Sequence, residues 1–173
     1  MGRWLRFFLD LCFLKAAPQD APSSKVAMYF AVILYFVAGI GLTMLSRPFL
    51  QSVLIATVQT VLFLFLTNLA LWIRRLPDRI NQAITALTGS GVVIALVAAP
   101  LLAWLADPQV AAQTAVMILW LALVVWETLV VGNILRHALD VPLAAGIGVA
   151  LVFLYMSFAV TVRFLKVLTI SPG

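Results

Sequence analysis

Of 173 residues, 65% are hydrophobic and only 10% are charged, with a mean hydropathy of +1.16. A water-soluble domain has about 25% charged and 45–50% apolar residues, and at this length it hides only about 70% of its unfolded surface. A soluble globular fold is therefore excluded, and the excess apolar surface must face lipid. The net charge of +5 is scattered between apolar stretches, which argues against a nucleic-acid-binding face of interleaved basic and aromatic residues.

The first 25 residues form a unit of their own. Over Gly2 to Leu14, helical spacing puts Arg3, Arg6 and Asp10 on one side and Trp4, Leu5, Phe7, Phe8, Leu11, Phe13 and Leu14 around the rest. A helix this short cannot span, and its content suits an amphipathic helix lying at the membrane interface. A signal peptide would also place arginines before an apolar run, but Asp10 and Lys15 interrupt and close this one. Arg6 stands where a myristoylation signal needs Ser or Thr, and Cys12 follows Asp10-Leu11 instead of a small-residue lipobox. Ala16 to Ser24, with Pro18 and Pro22, reads as the linker into the bilayer.

Residues 26–173 read as a five-helix transmembrane domain, since about 20 apolar residues cross a hydrocarbon core of about 30 Å. The expected spans are 26–45, ended by Ser46-Arg47-Pro48; 49–73, stopped by Arg74-Arg75 and Pro77; 84–106, ended by Asp107-Pro108; 111–135, ended by Arg136-His137; and 141–162, ended by Arg163. The connections are short, so neighbours should run antiparallel in one all-α bundle.

With a cytoplasmic N-terminus, Arg3, Arg6, Lys15, Lys25, Arg74, Arg75, Arg79 and Arg136 lie inside, against Arg47, Arg163 and Lys166 outside. That asymmetry favours N-in and C-out. Arg3, Arg6, Arg74, Arg75 and Arg79 are the candidate interface residues, with the bilayer, and anionic lipid in particular, as their partner. The short connections point to a bacterial inner membrane and a periplasmic C-terminus.

Reactive groups are few. Cys12 is the only cysteine and His137 the only histidine, so neither a disulfide nor a thiol pair within the chain is available. His137, beside Arg136 at a helix end, reads as an interfacial residue. No Ser-His-Asp set, paired carboxylates, phosphate-cradling glycine loop, HExxH or CxxC occurs. A non-enzymatic protein without metal or cofactor is expected.

Glu127 stands apart, inside the fourth span in Leu123-Val124-Val125-Trp126-Glu127-Thr128-Leu129. An ionised carboxylate at that depth costs about 2.5 kcal/mol or more on insertion scales, so it should face the bundle, be protonated, or line a watery cavity. Gln59, Thr60, Thr67 and Asn68 on the second span, Thr85 and Ser90 on the third and Thr161 on the fifth are candidate partners. Glu127, Gln59 and Asn68 make up the candidate intramembrane polar site. A protonated Glu127 hydrogen-bonded to a neighbouring helix is the favoured expectation, and a proton or cation site the alternative. A water-accessible cavity reaching Glu127 would favour the latter.

Small residues mark helix contacts. Gly39 and Gly41, Gly89 and Gly91, and the pairs Ala144/Gly148 and Gly146/Ala150 offer flat faces. Gly89-Ser90-Gly91 could also loosen the third span, as in transporters with broken helices.

The stretch Trp120 through Phe158, WLALVVWETLVVGNILRHALDVPLAAGIGVALVFLYMSF, resembles the last two helices of the Yip domain family of five-span membrane proteins. It has an aromatic-rich helix, a glycine, a basic-histidine turn and a small-residue helix. The resemblance implies five spans, a cytoplasmic N-terminus and a short outside C-terminus. The Asp-Leu-Tyr-Gly-Pro signature and long soluble N-terminal region of the eukaryotic members are missing, so their trafficking role is not carried over. The expected function is a structural or assembly component that packs with itself or with a larger membrane complex. A small-ion or proton-coupled transporter centred on Glu127 is the alternative.

Overall fold

The computed structural model describes residues 2–16, 18–21, 23–106 and 113–170, with side chains at all of these except 2–5, 113 and 167–170. The described residues form six α-helices and no strand: α1 Gly2–Cys12, α2 Lys25–Met44, α3 Phe49–Ile73, α4 Ile80–Ala106, α5 Gln113–Leu139 and α6 Leu143–Ile170. Helices α2 to α6 are each long and apolar enough to cross a membrane. In lipid every backbone N–H and C=O must find its partner within the segment, so runs rich in Val, Ile and Phe, which weigh against helix in water, are helical here.

The spans fall where hydropathy puts them, with three shifted ends. A 3-10 turn at Pro77–Arg79 leads straight into α4, which starts at Ile80 and not at Ile84. Helix α5 continues through Arg136 and His137 to Leu139, because basic side chains in a last turn favour the carbonyl end of the helix dipole. Helix α6 runs on past Arg163 to Ile170. The expected stop at Asp107-Pro108 lies outside the described residues.

Three helices end on a non-glycine residue in the left-handed region: Leu14 (φ 60°) after α1, Arg75 (φ 57°) after α3 and Asp140 (φ 54°) after α5. In each, the next amide bonds back across the last turn: Lys15 to the Asp10 carbonyl at 2.7 Å, Leu76 to Leu71 at 3.0 Å and Val141 to Arg136 at 3.0 Å. This is the Schellman geometry that satisfies carbonyls otherwise left bare at a helix end.

The five long helices close into a ring, α2–α3–α6–α5–α4, each touching the next and α4 returning to α2. Where α5 meets α6 the backbones nearly touch. A Cβ on Gly146 would come within 2.3 Å of the Gly132 carbonyl oxygen, and one on Gly132 within 2.8 Å of the Ile147 side chain. Gly146 and Ala150 are buried on this face, while Ala144 is exposed and Gly148 has open space around it. Only the Gly146/Ala150 register therefore packs inside the bundle. Residues such as Val26, Phe30, Ile33 and Val37 of α2 form an exposed apolar stripe on the outside, as a lipid-facing surface requires.

Helix α1 packs outside the ring across α4 and α5. Leu11 and Cys12 are buried, and Arg6 and Asp10 are exposed on the other side. The helix expected over Gly2 to Leu14 thus has one side covered by protein, not by lipid alone. Phe8 occupies the space over Gly89, where a Cβ would overlap its ring. The Trp126 indole donates to the Cys12 carbonyl at 3.0 Å. Helix α4 is continuous through Gly89-Ser90-Gly91, so these glycines do not break it. Their role is close approach: Gly89 seats Phe8, and Gly91 seats the Tyr35 ring.

Candidate functional site: an intramembrane cavity at Glu127

Inside the ring lies a cavity of about 470 Å³. Its lining comes from the second half of α2 and the turn after it (Tyr35 to Ser46), the first half of α3 (Ile55 to Thr60), α4 from its middle onward (Gly91 to Leu102), Trp120, Leu123 and Glu127 of α5, and Thr161 of α6. In an antiparallel bundle all of these lie toward one end, that of the α2–α3 connection. The cavity therefore runs from mid-bundle Glu127 to exposed Leu45 and Ser46. A second cavity of about 80 Å³ lies beside Glu127 among Tyr35, Phe63, Val131, Phe153 and Ser157. Glu127 and Tyr35 line both.

Toward the opposite, arginine-bearing end the bundle is closed by apolar packing. Leu71, Leu87, Val130 and Ile134 are almost completely buried there, and Phe7, Phe8 and Leu11 of α1 belong to the same core cluster.

The spacing on α5 explains the cavity wall. Trp120, Leu123 and Glu127 stand at i, i+3 and i+7, one face of a helix, and this face points inward. Tyr35 is fixed from two sides: its ring fills the space over Gly91 and stacks on Phe63 with centroids 5.6 Å apart. It lies close enough to Glu127 for the two to interact electrostatically.

Among the described residues the Glu127 carboxyl, the Tyr35 hydroxyl and the Thr60 hydroxyl have no hydrogen-bond partner, and each belongs to a residue lining the larger cavity. The expected hydrogen bond from Glu127 to a neighbouring helix is therefore not found: Thr60 shares the cavity without bonding to it, and the other partners proposed for it are used elsewhere or face elsewhere. Gln59 shares the larger cavity with Glu127, but its amide is taken by α6. It donates to Thr161 Oγ1 and, at 3.4 Å, to the Ser157 carbonyl, and accepts from Ser157 Oγ. Asn68 donates to the Leu64 carbonyl at 2.7 Å within its own helix and does not line the cavity. Thr67, Thr85 and Ser90 likewise bond carbonyls of their own helices. Of the proposed polar set, the fold brings together Glu127 and Gln59 and leaves Asn68 out.

The basic residues lie apart. Arg74 donates to the Leu139 carbonyl at 3.2 Å and the Asp140 carbonyl at 3.3 Å, and Arg79 to the His137 carbonyl at 3.2 Å. Both thus cap the carbonyl end of α5, where a cation is favoured. Arg74 and Arg75 are exposed and Arg79 is half-buried. Arg6 is exposed, and the side chain of Arg3 lies outside the described residues. His137 Nδ1 lies 2.8 Å from the Asn133 carbonyl in its own helix.

Tyr35 and Trp120 were not singled out in the sequence. A signal for Trp120 was present, seven residues before Glu127 on one helical face. Tyr35 had no such signal, because its place opposite Gly91 depends on how α2 packs against α4.

No protein-family model, curated protein or solved structure matches this chain.

Proposed function

We propose that this multi-pass membrane protein is a carrier in which Glu127 takes up and releases a proton or cation from a cavity open toward one end of the bundle. The observation that carries this reading is a carboxyl without a hydrogen-bond partner among the described residues, standing at the inner limit of a cavity of about 470 Å³. A carboxylate at that depth is costly, and proton or cation uptake offsets the cost. The opposite end is sealed by apolar packing, which suits a protein that exposes one site to one side at a time. The test is flux in proteoliposomes. Glu127→Gln keeps the volume and hydrogen-bonding capacity of the side chain but cannot release a proton. Its elution in detergent should match the parent while cation-coupled proton flux falls to the level of empty vesicles. Unchanged flux in the variant would refute the carrier reading.

The assembly reading keeps one supporting observation. Ala144 and Gly148 leave a small-residue face on α6 that no described residue covers, and such faces suit contact with another spanning helix. It ranks second because it gives the cavity and Glu127 no role. The Yip-domain resemblance concerns layout and adds nothing to either choice.

A further inference from the structure

We propose that the ligand of the Glu127 cavity is a monovalent organic cation, an amine or quaternary ammonium with an apolar body about the size of an aromatic ring. This rests on the reading of Glu127 as an exchangeable cation site and names its occupant.

Three features of the lining select this chemistry. The first is charge: among the described lining residues Glu127 is the only ionisable acid or base apart from the Tyr35 phenol. One negative group uncompensated by Lys, Arg or His calls for a single positive charge.

The second is the lack of an oxygen cage. Hard cations such as Ca²⁺ gather about six to eight oxygen ligands at close range. Here the Gln59 amide and the Thr161 hydroxyl are committed to the α3–α6 contact, and the Thr43 hydroxyl to the carbonyls of Gly39 and Ile40. Among the described lining side chains, Glu127, Tyr35 and Thr60, with Ser46 at the mouth, are left to meet a ligand. Among the described residues no three His, Cys, Asp or Glu side chains converge. A bare inorganic cation would leave most of about 470 Å³ unfilled, whereas pockets of about 300–1,000 Å³ are the usual size for small organic ligands.

The third is the aromatic wall. Trp120 stands two turns before Glu127 on the same face of α5, and Tyr35, anchored by Gly91 and Phe63, lies at the level of the carboxylate. Aromatic faces attract ammonium groups, and more strongly once water is removed. Leu123, Ile94 and Ala98 supply apolar surface for the body of the ligand.

The probe is radiolabelled benzyltrimethylammonium, measured by equilibrium dialysis against the full chain in detergent, with sodium as competitor. Binding should saturate and should weaken about tenfold per pH unit once the carboxyl takes up a proton instead. Glu127→Gln should abolish it at unchanged elution volume. Trp120→Ala should weaken it about tenfold while Trp120→Phe retains it, which a purely structural role of Trp120 would not produce. A hundredfold excess of sodium should leave it unchanged. The inference fails if sodium displaces the probe, or if no saturable binding occurs while Glu127-dependent flux persists; in both cases the carrier reading survives. Loss of that flux in proteoliposomes as well would remove both.

Discussion

Cys12 ends α1 with its Sγ 3.8 Å from the Ser90 carbonyl and its own carbonyl held by Trp126, the neighbour of Glu127. Burial pushes its thiol up from about 9 to about 11, since a thiolate loses more than a thiol on leaving water. The reactive form is the thiolate, so Cys12 should be nearly inert at neutral pH. N-ethylmaleimide labelling of the protein in detergent should run well below the free-thiol rate at pH 7. It should then rise about tenfold per pH unit toward pH 11, the sign expected for a raised thiol. Labelling at pH 7 as fast as that of a free thiol would mean that α1 does not seat Cys12 against α4. Glu127 is also enclosed, yet it faces a cavity where Cys12 faces a carbonyl, and this separates a site that can exchange a ligand from one that cannot.

Among the helices, the sequence marked where close contacts could form without saying which residues make them. Gly146/Ala150 and Ala144/Gly148 have the same small-residue spacing, and their positions differ by two residues, about 200° around a helix. One pair therefore faces α5 and the other faces out. Contact with Gly132 selects between them, and that is a fact about tertiary packing. Gly146→Ala would put a methyl against the backbone oxygen of Gly132, an atom that cannot swing aside. It should destabilise the protein by about 1–3 kcal/mol through forced separation of α5 and α6. Gly148→Ala meets open space and should be neutral or stabilise by about 0.5–1 kcal/mol, because a mid-helix glycine is costly. Thermal unfolding of both variants in detergent tests the pair, and equal effects would show that the α5–α6 contact is not the tight one. The same limit applied to Gly89 and Gly91, whose sequence suggested a loosened helix and whose partners, Phe8 and Tyr35, lie far away along the chain.

For the whole molecule, hydropathy was enough to find five spans, because a segment that must be apolar over its full length is visible without knowing its neighbours. The depth of Glu127 was legible for the same reason. The cavity was not, since five helices contribute to it and no local pattern records which inward faces leave a gap. Sidedness still rests on the basic residues. Arg74, Arg75 and Arg79 lie at the closed end, with two of them capping α5, while the cavity reaches Ser46 at the other end. If loops rich in arginine stay in the cytoplasm, the cavity opens to the outside. In a Cys12→Ser background, Pro77→Cys in intact cells should resist a membrane-impermeant maleimide and react after lysis, whereas Ser46→Cys should react in intact cells. Both positions are exposed, so the labelling pattern reports topology and not burial. The reverse pattern would invert the protein and open the cavity to the cytoplasm, and labelling of both from one side would contradict an antiparallel bundle in which α3 carries the chain from one face to the other.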